Sequence, residues 1–145
     1  MKRAAQELRG IELKGCKFCE AGIKGKGVVY EDKLCYVVPS GYPRAFGHLL
    51  VISKRHFSDM DSVNKKTLLD CFYVAHRLLP KMRKRLKAHG VYVIVDSEGA
   101  EEIYHFHIHL IPNYKEVHRK RPAYLSHKKI SDLDRARMIK LLKMK

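Results

Sequence analysis

The most informative stretch of the sequence covers residues 105–112, His105-Phe106-His107-Ile108-His109-Leu110-Ile111-Pro112. Side chains of a β-strand alternate between its two faces, so a strand here places the three histidines on one face and the apolar residues between them on the other, toward a core. Same-face residues lie roughly 6.5–7 Å apart along a strand. That spacing is too long for direct hydrogen bonds between the imidazoles, but it suits a group that surrounds one phosphate or one metal ion.

Two kinds of chemistry fit three histidines on one face. Neutral imidazoles bind transition metals, so all three or a subset could hold one ion. Alternatively, one imidazole attacks phosphorus as a nucleophile while a neighbour donates a hydrogen bond to a phosphate oxygen. A solvated strand face on which histidine recurs by chance is the third interpretation, and the strict period of two makes it the weakest.

A pair of cysteines, in Cys16-Lys17-Phe18-Cys19, has the spacing at which two thiolates grip one tetrahedral ion. Zinc would need two further nitrogen or sulfur ligands, and the candidates are histidines, chiefly His56 and one member of the 105–109 group. The alternative is a pair of half-buried thiols with no metal. Cys35 and Cys71 are predicted to be packing residues of a strand and a helix.

The length and composition indicate one domain. The chain has 145 residues, of which 46% are hydrophobic, enough for one sizeable core without disulfides. We predict a single domain over residues 1–145, with its core at about 16–114 and a basic C-terminal extension at 115–145. No run of 18 apolar residues and no apolar leader is present, so we expect a soluble cytoplasmic protein with reduced thiols and no membrane contact.

The charge favours anionic partners. Thirty Lys and Arg against fifteen Asp and Glu give a net charge of +15, which suits nucleotides, polyphosphates or nucleic acid. Residues 91–112, which include the histidines, hold no Lys or Arg and four acids. The extension alternates cations with tyrosines, a pattern that fits either nucleic-acid binding or a solvated tail.

The hydrophobic pattern predicts an α+β domain built on an antiparallel sheet. Strands are expected at five places: Gly27–Tyr30, Leu34–Val38, His48–Ile52, Val91–Val95 and Tyr104–Ile111. Between the third and fourth, apolar residues from Leu68 to Leu86 recur at helical spacing, and Pro80 within them predicts a kink or two abutting helices. Ser131, with Asp134 three residues later, is the predicted cap of a last helix.

These motifs together resemble the histidine triad (HIT) superfamily. The stretch His105-x-His107-x-His109 followed by Ile111-Pro112 is similar to the triad signature. Residues 46–56, Phe-Gly-His-Leu-Leu-Val-Ile-Ser-Lys-Arg-His, are similar to the family's earlier strand motif, with Ser53 where proline is usual. The cysteine pair matches the zinc-bearing members.

The resemblance implies a homodimer, formed through the long helix and a central strand, that binds purine nucleotides over the histidine face. It implies a structural zinc held by Cys16, Cys19, His56 and His105. It further implies that His107 is the nucleophile of a nucleotide hydrolase or transferase and that His109 contacts the α-phosphate. Nucleoside phosphoramidates and dinucleoside polyphosphates are the expected substrates.

Three acidic residues depart from the family pattern. Asp96, Glu101 and Glu102 stand where the family usually has neutral donors that touch phosphate, so they are candidate substrate-binding residues. Ionised carboxylates repel phosphate, so either the substrate is less anionic here, or these side chains turn away, or one binds a cationic leaving group. Two other functions stay open: a zinc-stabilised nucleotide- or nucleic-acid-binding protein without turnover, and a metalloenzyme with all three histidines on one ion.

Overall fold

A computed structural model describes residues 14–23, 27–97, 103–114 and 128–145. The strands are β1 (Tyr30–Glu31), β2 (Cys35–Pro39), β3 (Leu49–Ser53), β4 (Gly90–Ile94) and β5 (His107–Asn113). The helices are α1 (Lys17–Ile23), α2 (Lys65–Leu86) and α3 (Asp132–Leu142). Within the described residues, every helix is too short or too polar to span a lipid bilayer.

The five strands form one sheet in the order β1-β2-β3-β5-β4, and all neighbours are antiparallel. In the β3–β5 ladder, Leu50 pairs with His109 and Ile52 with His107. Because side chains alternate along each strand, these four residues share one face of the sheet. Val51 and Ile108 pair on the other face, where they join a buried core that includes residues of α2 and α3. The helices α2 and α3 therefore cover the face opposite the histidines.

Helix α2 has well-defined ends. The Asn64 side chain caps its start by accepting a hydrogen bond from the Thr67 backbone N–H (2.8 Å). It ends at Leu86, and the residue that caps this end, Lys87, adopts a left-handed conformation with φ of 54°. The prediction of two abutting helices at Pro80 is wrong, since one helix continues through it. Leu78 and Met82, on either side of Pro80, are both fully buried. Packing against the sheet therefore holds the parts of α2 before and after the proline.

The predicted strand Tyr104–Ile111 begins three residues later than expected. The backbone N–H of Phe106 donates to the Phe57 carbonyl (2.6 Å), and the Phe106 carbonyl accepts from Ser53 N–H (3.3 Å). The segment before His107 is therefore bonded partly to the loop that follows β3, and regular pairing starts only at His107. The first strand was predicted at Gly27–Tyr30 but is the two-residue β1, Tyr30–Glu31, so the prediction shares only Tyr30 with it.

The two terminal helices differ in how well the sequence predicted them. Ser131 caps α3 as expected, accepting a hydrogen bond from Asp134 N–H (3.1 Å). Helix α1 was not predicted, because seven residues are too few for a helical period to be seen. It is fastened to the sheet by the buried Tyr36, whose hydroxyl donates to the Phe18 carbonyl (2.5 Å).

Candidate functional site

Four predicted metal ligands converge at one end of the histidine face. Cys16 precedes α1 and Cys19 lies within it, His56 follows β3, and His105 precedes β5. Their ligand atoms all lie within 4.8 Å of one another. The tertiary fold thus brings together residues from three separate parts of the chain.

The spacing of these atoms fits a tetrahedral zinc site. His105 Nδ1 lies 3.4 Å from Cys16 Sγ, 3.5 Å from Cys19 Sγ and 3.2 Å from His56 Nδ1. Zinc binds nitrogen at about 2.0–2.1 Å and sulfur at about 2.3 Å, so its tetrahedral ligands stand about 3.3–3.8 Å apart. Two thiolates and two imidazoles are also the donors that zinc prefers. This donor set could hold zinc without a large rearrangement.

The backbone selects which nitrogen of His105 faces the cluster. Its Nε2–H donates to the Ser53 carbonyl (2.6 Å), which leaves the Nδ1 lone pair directed at the cysteines. Burial, above all, lowers the pKa of His105 to about 4, and burial also lowers the pKa of His56. Both rings are therefore neutral near pH 7, which is the form that binds metal.

A chain of hydrogen bonds fixes the tautomers of the histidines beyond the cluster. The Arg44 backbone N–H donates to His48 Nδ1 (3.1 Å), so the proton of a neutral His48 lies on Nε2. His48 Nε2–H in turn donates to His109 Nδ1 (3.0 Å). A neutral His109 consequently carries its own proton on Nε2, the nitrogen that faces His107.

His107 is oriented from the opposite side. Its Nδ1–H donates to the His105 carbonyl (2.6 Å), so in a neutral His107 ring the Nε2 carries a lone pair and no proton. His107 Nε2 and His109 Nε2 are 3.1 Å apart. The arrangement therefore presents a lone pair and an N–H donor side by side.

This contact overturns the expectation that the imidazoles are too far apart for direct hydrogen bonding. The strand spacing applies to the backbone, but the rings of His107 and His109 lean toward each other until their centroids are 4.8 Å apart. The Phe18 ring packs edge-on against His107, with centroids 5.0 Å apart, and helps to set the ring's tilt. Because Phe18 lies between the two cysteines, the metal cluster and His107 share one structural support.

Burial keeps His48 and His109 neutral. It lowers the pKa of His48 to about 3 and that of His109 to about 3, and the Arg44 charge and nearby histidines add to the effect. Asp96 Oδ2 lies 3.5 Å from His109 Nε2. With His109 neutral, this is a polar contact rather than an ion pair.

The structure places only one of the three predicted acidic substrate-binding residues. The structure places Asp96 next to His109, at the edge of the site, whereas Glu101 and Glu102 lie outside the described residues. Sequence reasoning assigned no role to His48, although it is 1% exposed and bonded to His109. The signal was available, because His48 stands inside the 46–56 motif.

Comparison with known proteins identifies the family. Residues 23–116 match the HIT domain. The chain belongs to the HIT family. An uncharacterised HIT-like protein of Mycoplasma genitalium is 32% identical over 106 residues, which cover 69% of this chain and 74% of that protein. Another, from Methanocaldococcus jannaschii, is 33% identical over 103 residues, covering 69% and 78%.

Solved HIT structures have the same fold. A hypothetical histidine triad nucleotide-binding protein from Sulfolobus tokodaii superposes with a TM-score of 0.76 at 24% identity, covering 88% of this chain and 89% of the other. A Zn-bound histidine triad family protein from Mycobacterium smegmatis gives 0.72 at 25% identity, covering 89% and 91%. The predicted α+β HIT fold is confirmed. The prediction of a zinc cofactor is supported by the four-ligand cluster and this Zn-bound relative.

Proposed function

We propose that this HIT protein is a nucleotide hydrolase or transferase that attacks an α-phosphate through His107. The observation that carries the proposal is the unprotonated Nε2 of His107, 3.1 Å from a donor on His109. A bond forms between His107 Nε2 and the α-phosphorus while the bond to the leaving group breaks, and the leaving group departs with the bonding electrons and takes up a proton. Water then cleaves the nucleotidyl-histidine to release a nucleoside monophosphate.

His109 would stabilise the charge that builds on the phosphate during attack. Its Nε2–H, which faces His107, can turn to a non-bridging phosphate oxygen when substrate is bound. The backbone-anchored His48 keeps that proton in place. Purine nucleoside phosphoramidates and dinucleoside polyphosphates are the proposed substrates, and Asp96 is the proposed contact to a group of low negative charge, such as an amine.

The metal has a structural role in this proposal. Cys16, Cys19, His56 and His105 would hold a zinc ion that fastens α1 to the segments flanking β3 and β5. When bound, the zinc supplies rigidity and takes no part in the reaction. Of the four ligands, only His105 belongs to the triad, so the other two triad members remain available for substrate.

The deciding experiment is an intact-mass measurement. Wild type and His107→Ala are incubated briefly with adenosine phosphoramidate or diadenosine tetraphosphate and quenched at alkaline pH. Wild type is expected to release AMP or to carry an adenylyl adduct, and His107→Ala to do neither. His89→Ala, which removes an exposed histidine between α2 and β4, is the matched control and should behave as wild type.

A different outcome would select the alternative function. If wild type binds AMP but turns over neither compound, and His107→Ala binds AMP equally well, the protein is a zinc-stabilised binding module rather than a hydrolase. Nucleic-acid binding by the basic extension and a cytoplasmic location stay predictions.

We also infer that the protein forms a homodimer through α2 and β4. Strand β4 is an edge of the sheet, and its Tyr92 and Val93 are 39% and 42% exposed. On α2, Leu69 and Tyr73 are 57% and 60% exposed. Exposed apolar side chains beside an unpaired strand edge favour association.

A further inference from the structure

An open cavity lies on the side of the sheet away from the histidines. It has a volume of about 500 Å³ and lies between α2 and the segment that follows α3. Its lining consists of His76, Arg77, Pro80, Lys81, Met144 and Lys145. The HIT motifs contribute none of these residues.

The cavity has a strongly cationic lining. Three of its six residues are Lys or Arg, and none is acidic. Along the two helices the surroundings have the same character, because α2 contains no acid after Asp70 and α3 contains none after Asp134. On the β1 side, Asp32 accepts a hydrogen bond from the hydroxyl of Tyr30, the residue that Arg77 contacts. Among the described residues, no ion pair engages Arg77, Lys81 or Lys145. Cations gathered in a concave surface whose lining contains no Asp or Glu attract an anionic ligand.

Contacts with the rest of the fold hold two of these cations in place. The Arg77 guanidinium lies over the Tyr30 ring, 5.5 Å from its centroid. The Lys81 ammonium donates to the Lys143 carbonyl. The Met144 backbone N–H donates to the Val29 carbonyl (2.9 Å), which anchors the segment that carries Lys145. Groups positioned before binding lose less conformational freedom when a ligand arrives.

We propose that this cavity binds a chain of closely spaced phosphates, from a nucleic-acid strand or a free oligophosphate. Arg77 and Lys81 are one helical turn apart, about 6 Å along the axis. They are therefore placed to meet neighbouring phosphates rather than to share one. The exposed Lys84 extends the same flank of α2 beyond Lys81.

The site is separate from the histidine site and from strand β4 of the proposed dimer interface, although its His76 stacks on Tyr73, an α2 residue of that interface. Its Arg77 contacts β1, whereas the proposed dimer edge, β4, is at the other end of the sheet. The histidines lie across the sheet. The binding proposed here does not require that the protein hydrolyse nucleotides.

The test compares the affinity of full-length variants for two probes, a fluorescently labelled 12-nucleotide oligouridylate and tripolyphosphate. In Arg77→Gln/Lys81→Gln, we expect affinity for one or both probes to fall roughly tenfold at 0.1 M salt. If the oligonucleotide is bound here, the slope of log K against log salt should become shallower by about 1.4, because two phosphate contacts are lost. Lys65→Gln/Lys66→Gln is the matched control, since it removes two exposed cations from the start of the same helix.

The two probes distinguish the source of the phosphates. An effect on the oligonucleotide alone assigns the cavity to nucleic acid, and an effect on tripolyphosphate alone assigns it to free oligophosphates. Absence of binding to both probes, or an equal loss in the control pair, would overturn the proposal. If loss of Arg77 impairs folding, Lys81→Gln/Lys145→Gln removes two lining cations while leaving the Tyr30 contact intact.

Discussion

His48 determines the protonation pattern of the proposed active site at the scale of single residues. It receives a hydrogen bond from a backbone amide and passes one to His109, so a fixed main-chain group decides where the His109 proton lies. A backbone donor cannot change its protonation state. The donor that faces the substrate is thus set by the fold itself.

Replacing His48 should slow the reaction more than it weakens binding. In His48→Ala, the proton of His109 is free to move to Nδ1, so we expect kcat on adenosine phosphoramidate to fall about a hundredfold, within the range of general acid–base effects, with KM changed little. Steady-state kinetics would measure both constants. A kcat within twofold of wild type would show that His48 has only a packing role.

The same buried rings make stability depend on pH. Burial lowers the pKa of His48 and His109 to about 3 from an ordinary value of 6.5. Between pH 3 and pH 6.5 the unfolded chain therefore binds more protons than the folded one. The folded protein therefore has its full stability above pH 6.5, where both rings are neutral in either state, and it loses stability as the pH falls toward 3. At pH 5 the loss amounts to roughly 2 kcal/mol for each ring.

Urea unfolding at pH 7 and pH 5 would measure this loss. His48→Gln removes one of the two buried titrations, so its stability should fall less between these pH values than that of wild type, by roughly 2 kcal/mol. Equal losses in both proteins would contradict the burial argument for His48. Protonation of the metal ligands affects both proteins alike and cancels in this comparison.

At the scale of secondary-structure elements, Gly47 positions the start of β3. Its φ is 95°, a left-handed conformation that favours glycine. A Cβ at this position would collide with the Leu86 side chain and lie 3.0 Å from Pro112 Cγ. The end of α2 and strand β5 therefore close around the residue that precedes His48.

Gly47→Ala should be destabilising by roughly 1–3 kcal/mol because it adds both strain and a steric clash. Gly41→Ala is the matched control, since a Cβ there would meet no atom within 4 Å. Chemical denaturation of the two variants would measure the difference. Equal denaturation midpoints for the two variants would mean that the side chains of Leu86 and Pro112 move aside without loss of stability.

The metal cluster connects α1 to the sheet, so losing the metal should loosen this element. In Cys16→Ser, we expect the zinc content to fall well below one ion per chain and the Tm to drop. His107→Ala is the control, because it leaves all four ligands in place and should keep the zinc. Mass spectrometry of metals and thermal unfolding would measure the two effects. Full zinc retention in Cys16→Ser would favour a catalytic metal on the triad instead.

At the scale of the whole molecule, the sheet has one long exposed edge, at β4. Val93→Arg places a charge on the exposed apolar patch, so it should convert the proposed dimer into a monomer of 16.9 kDa. Leu133→Arg is the matched control, because Leu133 is 70% exposed but lies on α3. Light scattering after size-exclusion chromatography would report both masses. Dimeric Val93→Arg would exclude β4 as the interface.

Several features of this protein can be predicted from short stretches of its sequence. The period of two in residues 105–109 predicted the strand on which His107 and His109 stand, and the spacing of Cys16 and Cys19 predicted half of a metal cluster. Helix α2 was visible as a repeating apolar pattern, and Ser131 marked the start of α3. Local patterns succeed here because each depends on periodicity or capping within one segment.

Only the tertiary structure decided how distant groups meet. Packing continued α2 through Pro80 as one helix, and bonds to the loop after β3 delayed the start of β5 to His107. The direct contact between His107 and His109 depends on how the rings tilt, which backbone spacing does not give. The role of His48 depends on a pairing across 61 residues. Sequence alone thus determined the kinds of groups present, and the fold determined their tautomers and contacts, because those are set by neighbours from other strands.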